Sequence, residues 1–295
     1  MSPLDKTMAE RLAKRKVQST FRSLTTSPEG AVDFSSNDFL SLSKSAALRS
    51  AFLKELQNNP SFDLGSGGSR LLDGNSTYAE NLEREIAAFH GAPAGLLCNS
   101  GFDANSGIFA CIPQEGDIIV YDEFIHASVH DGMRMSRAAK CVPFKHNSIS
   151  ELRYVLQELT KTDGGRQNIF IAVEAVYSMD GDVAPLAEVV NAVEQCLPHG
   201  VGHIIVDEAH STGVLGPQGR GLVCELGLEA KMFLRLHTFG KSVASSGAII
   251  LCSPLVRSYL INYARPLIYT TFMTFPSLAS IRASYSLLQS GATEP

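Results

Sequence analysis

The run Ile204-Ile205-Val206-Asp207-Glu208-Ala209-His210 is the stretch that decides the fold. Three consecutive β-branched apolar residues suit a strand covered on both faces, as in a parallel sheet, and the acidic pair that follows marks its carboxyl end. Similar short runs stand at Gly95–Cys98, Asp117–Tyr121, Ile169–Val173, His203–Val206 and Ala248–Leu251. Helical patterns over 103–111, 149–160 and 185–196 separate them, which predicts a layered α/β architecture with a mainly parallel sheet. Residues 77–90 read as a further helix, with Thr77 and Glu80 as a capping box and Gly91 at the exit. Near the start, residues 5–24 carry Lys6, Arg11, Lys14, Arg15, Lys16 and Arg22 between apolar residues, an amphipathic helix leading into a loop at Ser27-Pro28-Glu29-Gly30.

Composition narrows the function. The chain has 295 residues, 44% of them hydrophobic and 19% charged, with a formal net charge of −5. Such a chain is an ordinary globular protein, and its charge offers nucleic acid or an anionic membrane no general attraction. No stretch reaches the length of a membrane span and no apolar signal core opens the sequence, so neither a membrane span nor secretion is expected. The six cysteines are scattered without a C-x-x-C pair, so no disulfide framework is expected.

Three motifs fail on inspection. Gly240-Lys241-Ser242 looks like the end of a phosphate loop, but the position five residues before Gly240 is Arg235. Gly65-Ser66-Gly67-Gly68 lacks the last glycine of a dinucleotide fingerprint and follows no clear strand. Cys196, His199 and His203 have zinc-like spacing, but Pro198 and Gly200 make a turn there and no fourth ligand is near, so no metal is expected.

What remains is chemistry at strand ends. Ligands of open α/β sheets bind outside the carboxyl ends of the strands, which is where Asp207 falls. A buried carboxylate there asks for a cationic partner, such as the protonated ring nitrogen of a cofactor. Lys241, among small residues just before the strand at 248, suits an amine that is partly desolvated and able to attack a carbonyl.

Five motifs occur in order: Ser100-Gly101-Phe102, His126-Ala127-Ser128, Glu174 to Asp182, Asp207 to Gly213, and Thr238-Phe239-Gly240-Lys241. Together they resemble the pyridoxal-phosphate enzymes called α-oxoamine synthases, of fold type I, from about Asp33 to Arg282. Asp33 to Asp38, Gly65 to Ser69 and Val206 to Gly216 look most like the branch that condenses L-alanine with pimeloyl-CoA to 8-amino-7-oxononanoate, CoA and CO2 in biotin biosynthesis. The alternatives are a sibling reaction of serine or glycine with another acyl-CoA, or cofactor binding without turnover.

The resemblance implies a three-layer domain over 46–290, an N-terminal segment over 1–45, and 291–295 as the start of a C-terminal region. It implies pyridoxal 5′-phosphate bound covalently to Lys241, with Asp207 on its ring nitrogen and His126 over its face, where it would also meet substrate. His210 and Ser178 would bond the ring oxygen side. Thr238 and the N–H groups of Gly101 and Phe102 would hold the phosphate, a usual anion site at a helix start. Thr271 would reach the phosphate of a neighbouring subunit in a homodimer with shared sites, and Arg22 would bind substrate. Two departures stand out. Ala244 occupies a position where the family has glycine, and Pro295 falls where relatives begin a C-terminal domain of about a hundred residues, a common domain size.

Overall fold

The computed structural model describes residues 1–163, 167–198 and 200–293. His199 of the zinc-like spacing and the last two residues therefore lie outside the described residues. The chain divides into two units, Met1–Ser36 and Asn37–Pro295.

The first unit contains one helix, α1 (Pro3–Val17), which buries no side chain. Ser2 and Asp5 form its capping box: Asp5 N donates to Ser2 Oγ at 3.1 Å and Ser2 N donates to Asp5 Oδ2 at 2.8 Å. Lys14, Arg15 and Lys16 fall in its last turn, where cations suit the helix dipole. The helix is shorter than the 5–24 expected from the basic pattern. Gln18 closes it and Ser19 turns out at φ +53, so Arg22 lies in irregular, exposed chain beyond its end.

The second unit alternates helices and strands: α2 (Ala46–Asn58), α3 (Thr77–Phe89), β1 (Ala94–Cys98), α4 (Gly101–Cys111), β2 (Ile118–Asp122), α5 (Ala127–Arg134), β3 (Lys140–Phe144), α6 (Ile149–Asp163), β4 (Ile169–Glu174), α7 (Leu186–Cys196), β5 (Gly202–Asp207), α8 (Leu222–Glu225), β6 (Leu234–Thr238), β7 (Ala248–Cys252), α9 (Pro254–Tyr263), α10 (Arg265–Ile268) and α11 (Phe275–Gln289). The strands form one sheet in the order β1-β7-β6-β5-β4-β2-β3. Pairing is parallel from β3 through to β6, and β7 runs antiparallel to both β6 and β1. The expected α/β class, three layers and mainly parallel sheet are all present, and the five strands expected from sequence lie within a residue of their observed ends. The cap of α3 sits one residue earlier than expected: Ser76 Oγ, not Thr77, accepts the N–H of Ala79, because Ser76 has the extended backbone of a cap.

Alternate residues of each strand feed opposite cores. On one face Ile119, Phe170, Ile205 and Leu236 pack with Ala104, Ile108 and Phe109 of α4 and Val129 of α5. On the other, Ile171, Val173, Ile204 and Val206 meet Leu152 and Leu156 of α6 and Val189 and Val193 of α7. Further along that face, Ile249 and Leu251 of β7 meet Leu82 and Ile86 of α3 and Leu278 and Ile281 of α11.

Strand β6 separates these last two clusters with a buried polar seam. The Arg235 guanidinium donates to the His90 carbonyl at 2.9 Å, and the His90 and His237 rings lie 4.0 Å apart. Burial, followed by the neighbouring Arg235 charge, lowers the His90 ring to about 3, so it is neutral. It bridges the Arg220 carbonyl at 2.9 Å and the Tyr285 hydroxyl at 3.0 Å. This strand escapes a hydropathy reading because its second layer is built from hydrogen bonds rather than apolar area.

Candidate active site

The carboxyl ends of β4, β5 and β6, the start of α4 and the loop between β6 and β7 surround a cleft of about 400 Å³. Sheet register does the placing: Glu174 pairs with Asp207 across β4 and β5, and Thr238 pairs with Ala248 across β6 and β7. Gly101, Phe102, His126, Asp207, His210, Thr238 and Lys241, expected from sequence, all line this cleft. Ser178 and Thr271 do not line it. Ser178 stands on the exposed turn after β4, and Thr271 is exposed with its carbonyl accepting from Asn99 Nδ2 at 2.6 Å. Arg22 belongs to the first unit.

Lys241 Nζ donates to His210 Nε2 at 2.7 Å. Burial holds the Lys241 ammonium below its ordinary range, while Asp207 and Glu174 pull the other way. His210 is pushed down to about 4, first by burial and then by the Lys241 charge, so its ring is the neutral acceptor of that bond. The lysine loop is fixed at its base, where Ser242, 2% exposed, donates its hydroxyl to the Thr212 carbonyl. Ala244 N closes a turn on the Lys241 carbonyl at 2.9 Å, and Ala244 itself takes φ +50.

That left-handed conformation costs a residue with a Cβ about 1–2 kcal/mol. Ala244→Gly relieves the strain but loosens the unfolded chain by about 0.4–1 kcal/mol. The expected net result is a rise in urea midpoint corresponding to at most about 1.6 kcal/mol. A lower midpoint would remove strain at Ala244 from the account.

The start of α4 forms another part of the cleft wall. Ser100 caps α4 by accepting the Asp103 N–H at 3.0 Å, which leaves the N–H groups of Gly101 and Phe102 without intrahelical partners. A Cβ at position 101 would come within 2.4 Å of Thr238 Cγ2, so glycine is what lets the helix start lie against Thr238. Thr238 Oγ1 and Ser245 Oγ are buried and have no partner among the described residues. Orphaned buried hydroxyls are rare unless a ligand satisfies them. With a buried carboxylate at Asp207, 8% exposed, and the accessible imidazole of His126, the donor set fits a phosphorylated aromatic aldehyde with a protonated ring nitrogen.

Glu174, Asn105, Ser128 and Ser245 also line the cleft, and none was assigned a role from sequence. The signal for Glu174 was a charge closing the apolar run of β4. Burial, reinforced by the charge on Asp207, raises Glu174 to about 8. A folded-state value raised above the ordinary 4.5 means that wild type loses stability, relative to Glu174→Gln, as pH rises from about 4.5 through about 8. In cofactor-free protein the gap in Tm should reach on the order of 5 °C above pH 8 and close at acid pH. Parallel Tm curves for the two proteins would contradict it.

Residues 29–291 match the aminotransferase class I and II family, and 292 residues align at 61% identity with 8-amino-7-oxononanoate synthase of Emericella nidulans, covering 97% of this chain and 71% of that protein. The chain belongs to the α-oxoamine synthases.

This α-oxoamine synthase is also 47% identical over 268 residues to aminoacyl transferase sphA of Aspergillus fumigatus, covering 90% of this chain and 57% of that protein. Among solved structures it resembles serine palmitoyltransferase from S. paucimobilis with bound PLP and myriocin. That likeness has a TM-score of 0.84 at 25% identity and covers 99% of this chain and 74% of the other. The cofactor of this α-oxoamine synthase is pyridoxal 5′-phosphate, and its enzyme class is a pyridoxal-phosphate-dependent acyltransferase. No helix among its described residues is long and apolar enough to cross a membrane.

Proposed function

We propose that the protein condenses L-alanine with pimeloyl-CoA, releasing CoA and CO2 and forming 8-amino-7-oxononanoate, the amino ketone of biotin biosynthesis. The carrying observation is the 61% identity with 8-amino-7-oxononanoate synthase along 97% of the chain. The orphaned hydroxyls of the cleft support it by offering a phosphate site.

Bound pyridoxal phosphate supplies the electron sink that lets a carbanion form beside the amino-acid nitrogen. The protein's own groups do the rest. Lys241 would hold the cofactor covalently and would move the substrate Cα proton at Nζ, where burial favours the neutral amine. Asp207 holds the ring nitrogen in its protonated form by charge pairing. His126 would cover the ring face and meet substrate, while His210, which lines the cleft, would orient the ring oxygen. Thr238, Gly101 and Phe102 hold the phosphate, and Thr271 of one protomer reaches the site of its partner in a homodimer. All six cysteines are free, which suits a reducing compartment, the cytoplasm or peroxisome.

A second reading, serine or glycine with a longer acyl-CoA, draws support from the 47% identity to sphA. Thiol release from a matrix of alanine, serine and glycine against pimeloyl-CoA and palmitoyl-CoA separates the two. Fastest release with alanine and pimeloyl-CoA, with matching CO2, is expected. Preference for serine with the long chain would replace the first reading by the second. A visible cofactor band that responds to alanine without any CoA release would leave a cofactor-binding protein without turnover.

A further inference from the structure

His126 and Asp207 are joined through the protein interior by an unbroken hydrogen-bonded chain. Asn105 on α4 is 2% exposed and Ser128 in the first turn of α5 is fully buried. Asn105 Nδ2 donates to Asp207 Oδ2 at 2.8 Å and to Ser128 Oγ at 3.0 Å. Ser128 Oγ lies 2.8 Å from His126 Nδ1, and the Ser128 backbone N donates to the same nitrogen at 3.2 Å. Asp207 Oδ1 accepts from Ala209 N at 2.9 Å.

The proton inventory leaves one consistent arrangement. Both Asn105 amide hydrogens are spent, one on each partner. Ser128 Oγ therefore accepts from Asn105 and has its single proton for His126 Nδ1, which already accepts from a backbone N–H. The His126 ring proton must then reside on Nε2, leaving a donor directed away from α5. At the other end of the chain, the Asp207 carboxylate is gripped through both oxygens, which fixes its plane.

We propose that Asn105 is a positioning residue for this enzyme: one buried amide sets the plane of the Asp207 carboxylate and, through Ser128, the tautomer of His126. The cofactor's ring nitrogen and ring face are thus addressed by groups whose orientations are locked together before anything binds. This rests on the cleft being the cofactor site.

The test combines two measurements on folded protein, with Tm as the control. In cofactor-free wild type, 15N-histidine NMR should show His126 protonated on Nε2 alone, its signal assigned by loss in His126→Gln. Ser128→Ala and Asn105→Ala should each move the Nδ1 resonance toward the averaged position of exchanging tautomers. In equilibrium dialysis with pyridoxal 5′-phosphate, Asn105→Ala should weaken binding about tenfold or more, the scale of one hydrogen bond to a charged group. Ser128→Ala, which keeps the Asp207 bond, should weaken it less than about threefold, the scale of a weak neutral hydrogen bond. Asn105→Leu keeps much of the side-chain volume while removing both donors, and should weaken binding at least as much as alanine. It decides the matter if the alanine variant fails to fold.

An Nδ1-protonated His126 in wild type would overturn the proposal, and so would cofactor affinity within twofold of wild type in folded Asn105 variants. Because the tautomer is read without cofactor, failure of wild type to bind pyridoxal phosphate would count against the cleft as cofactor site and not against the hydrogen-bonded chain.

Discussion

Lys241→Ala should lose the visible absorbance of cofactor-loaded protein and lower CoA release by about 10²–10⁴-fold, the usual weight of a positioned acid–base group. The effect follows from how this lysine is held. It sits in the short connection between β6 and β7, with Ser242 anchored to the Thr212 carbonyl behind it and Ala244 closing the turn ahead. Its amine meets His210 at 2.7 Å and is desolvated enough to fall below its ordinary range. Among the described residues no other lysine lines the cleft, so none there is placed to replace Lys241. Removing one partly buried cation from a surface loop should leave Tm within a few degrees of wild type. Absorbance titration with pyridoxal phosphate and a thiol assay check both parts. A retained band, or more than about a tenth of wild-type turnover, would displace Lys241 from its assigned role.

Asp207→Asn should weaken pyridoxal phosphate binding by two to three orders of magnitude. Breaking a buried charge pair by neutralising one partner costs about 3–5 kcal/mol, and each 1.4 kcal/mol is a factor of ten. The substitution keeps the side-chain volume and can still accept from Ala209 N, so the loss reports charge rather than shape. It also sets an amide against the Asn105 amide, which previously donated to a carboxylate at 2.8 Å. Equilibrium dialysis gives the affinity directly, and a change below fivefold would remove Asp207 as the partner of the ring nitrogen.

Several elements were legible because one rule governs them. The buried strands β4 and β5 declare themselves as apolar runs, and their closing acids, Glu174 and Asp207, mark the edge where the cleft forms. Strand β6 was hidden because the Arg235 guanidinium and His237 Nδ1 are hydrogen-bonded to residues far away in sequence, His90 and Thr212. Strand β3 was hidden because it is a sheet edge whose Lys140, Cys141 and Pro143 are exposed. Pro143 offers no N–H to a further strand, as edge strands tolerate. The expectation of a glycine-like backbone at Ala244 came from the resemblance, and φ +50 agrees with it. Asn105 carried no local signal at all, since its value lies in Asp207, 102 residues later.

That separation bears on how the protein is made. The cleft draws on residues from Asn37 to Gly247, most of them brought together by parallel pairings that each close a long loop. Such non-local topology folds slowly, because chain entropy is lost before the contacts form. The cofactor's full set of contacts exists only once β4, β5, β6 and α4 have docked, so cofactor present during refolding should leave the folding rate nearly unchanged. Its stabilisation, about 2.7 kcal/mol at a hundredfold excess over Kd, should appear instead as slower unfolding. For a newly synthesised chain, pyridoxal phosphate would act as a lock on the finished fold rather than a guide toward it.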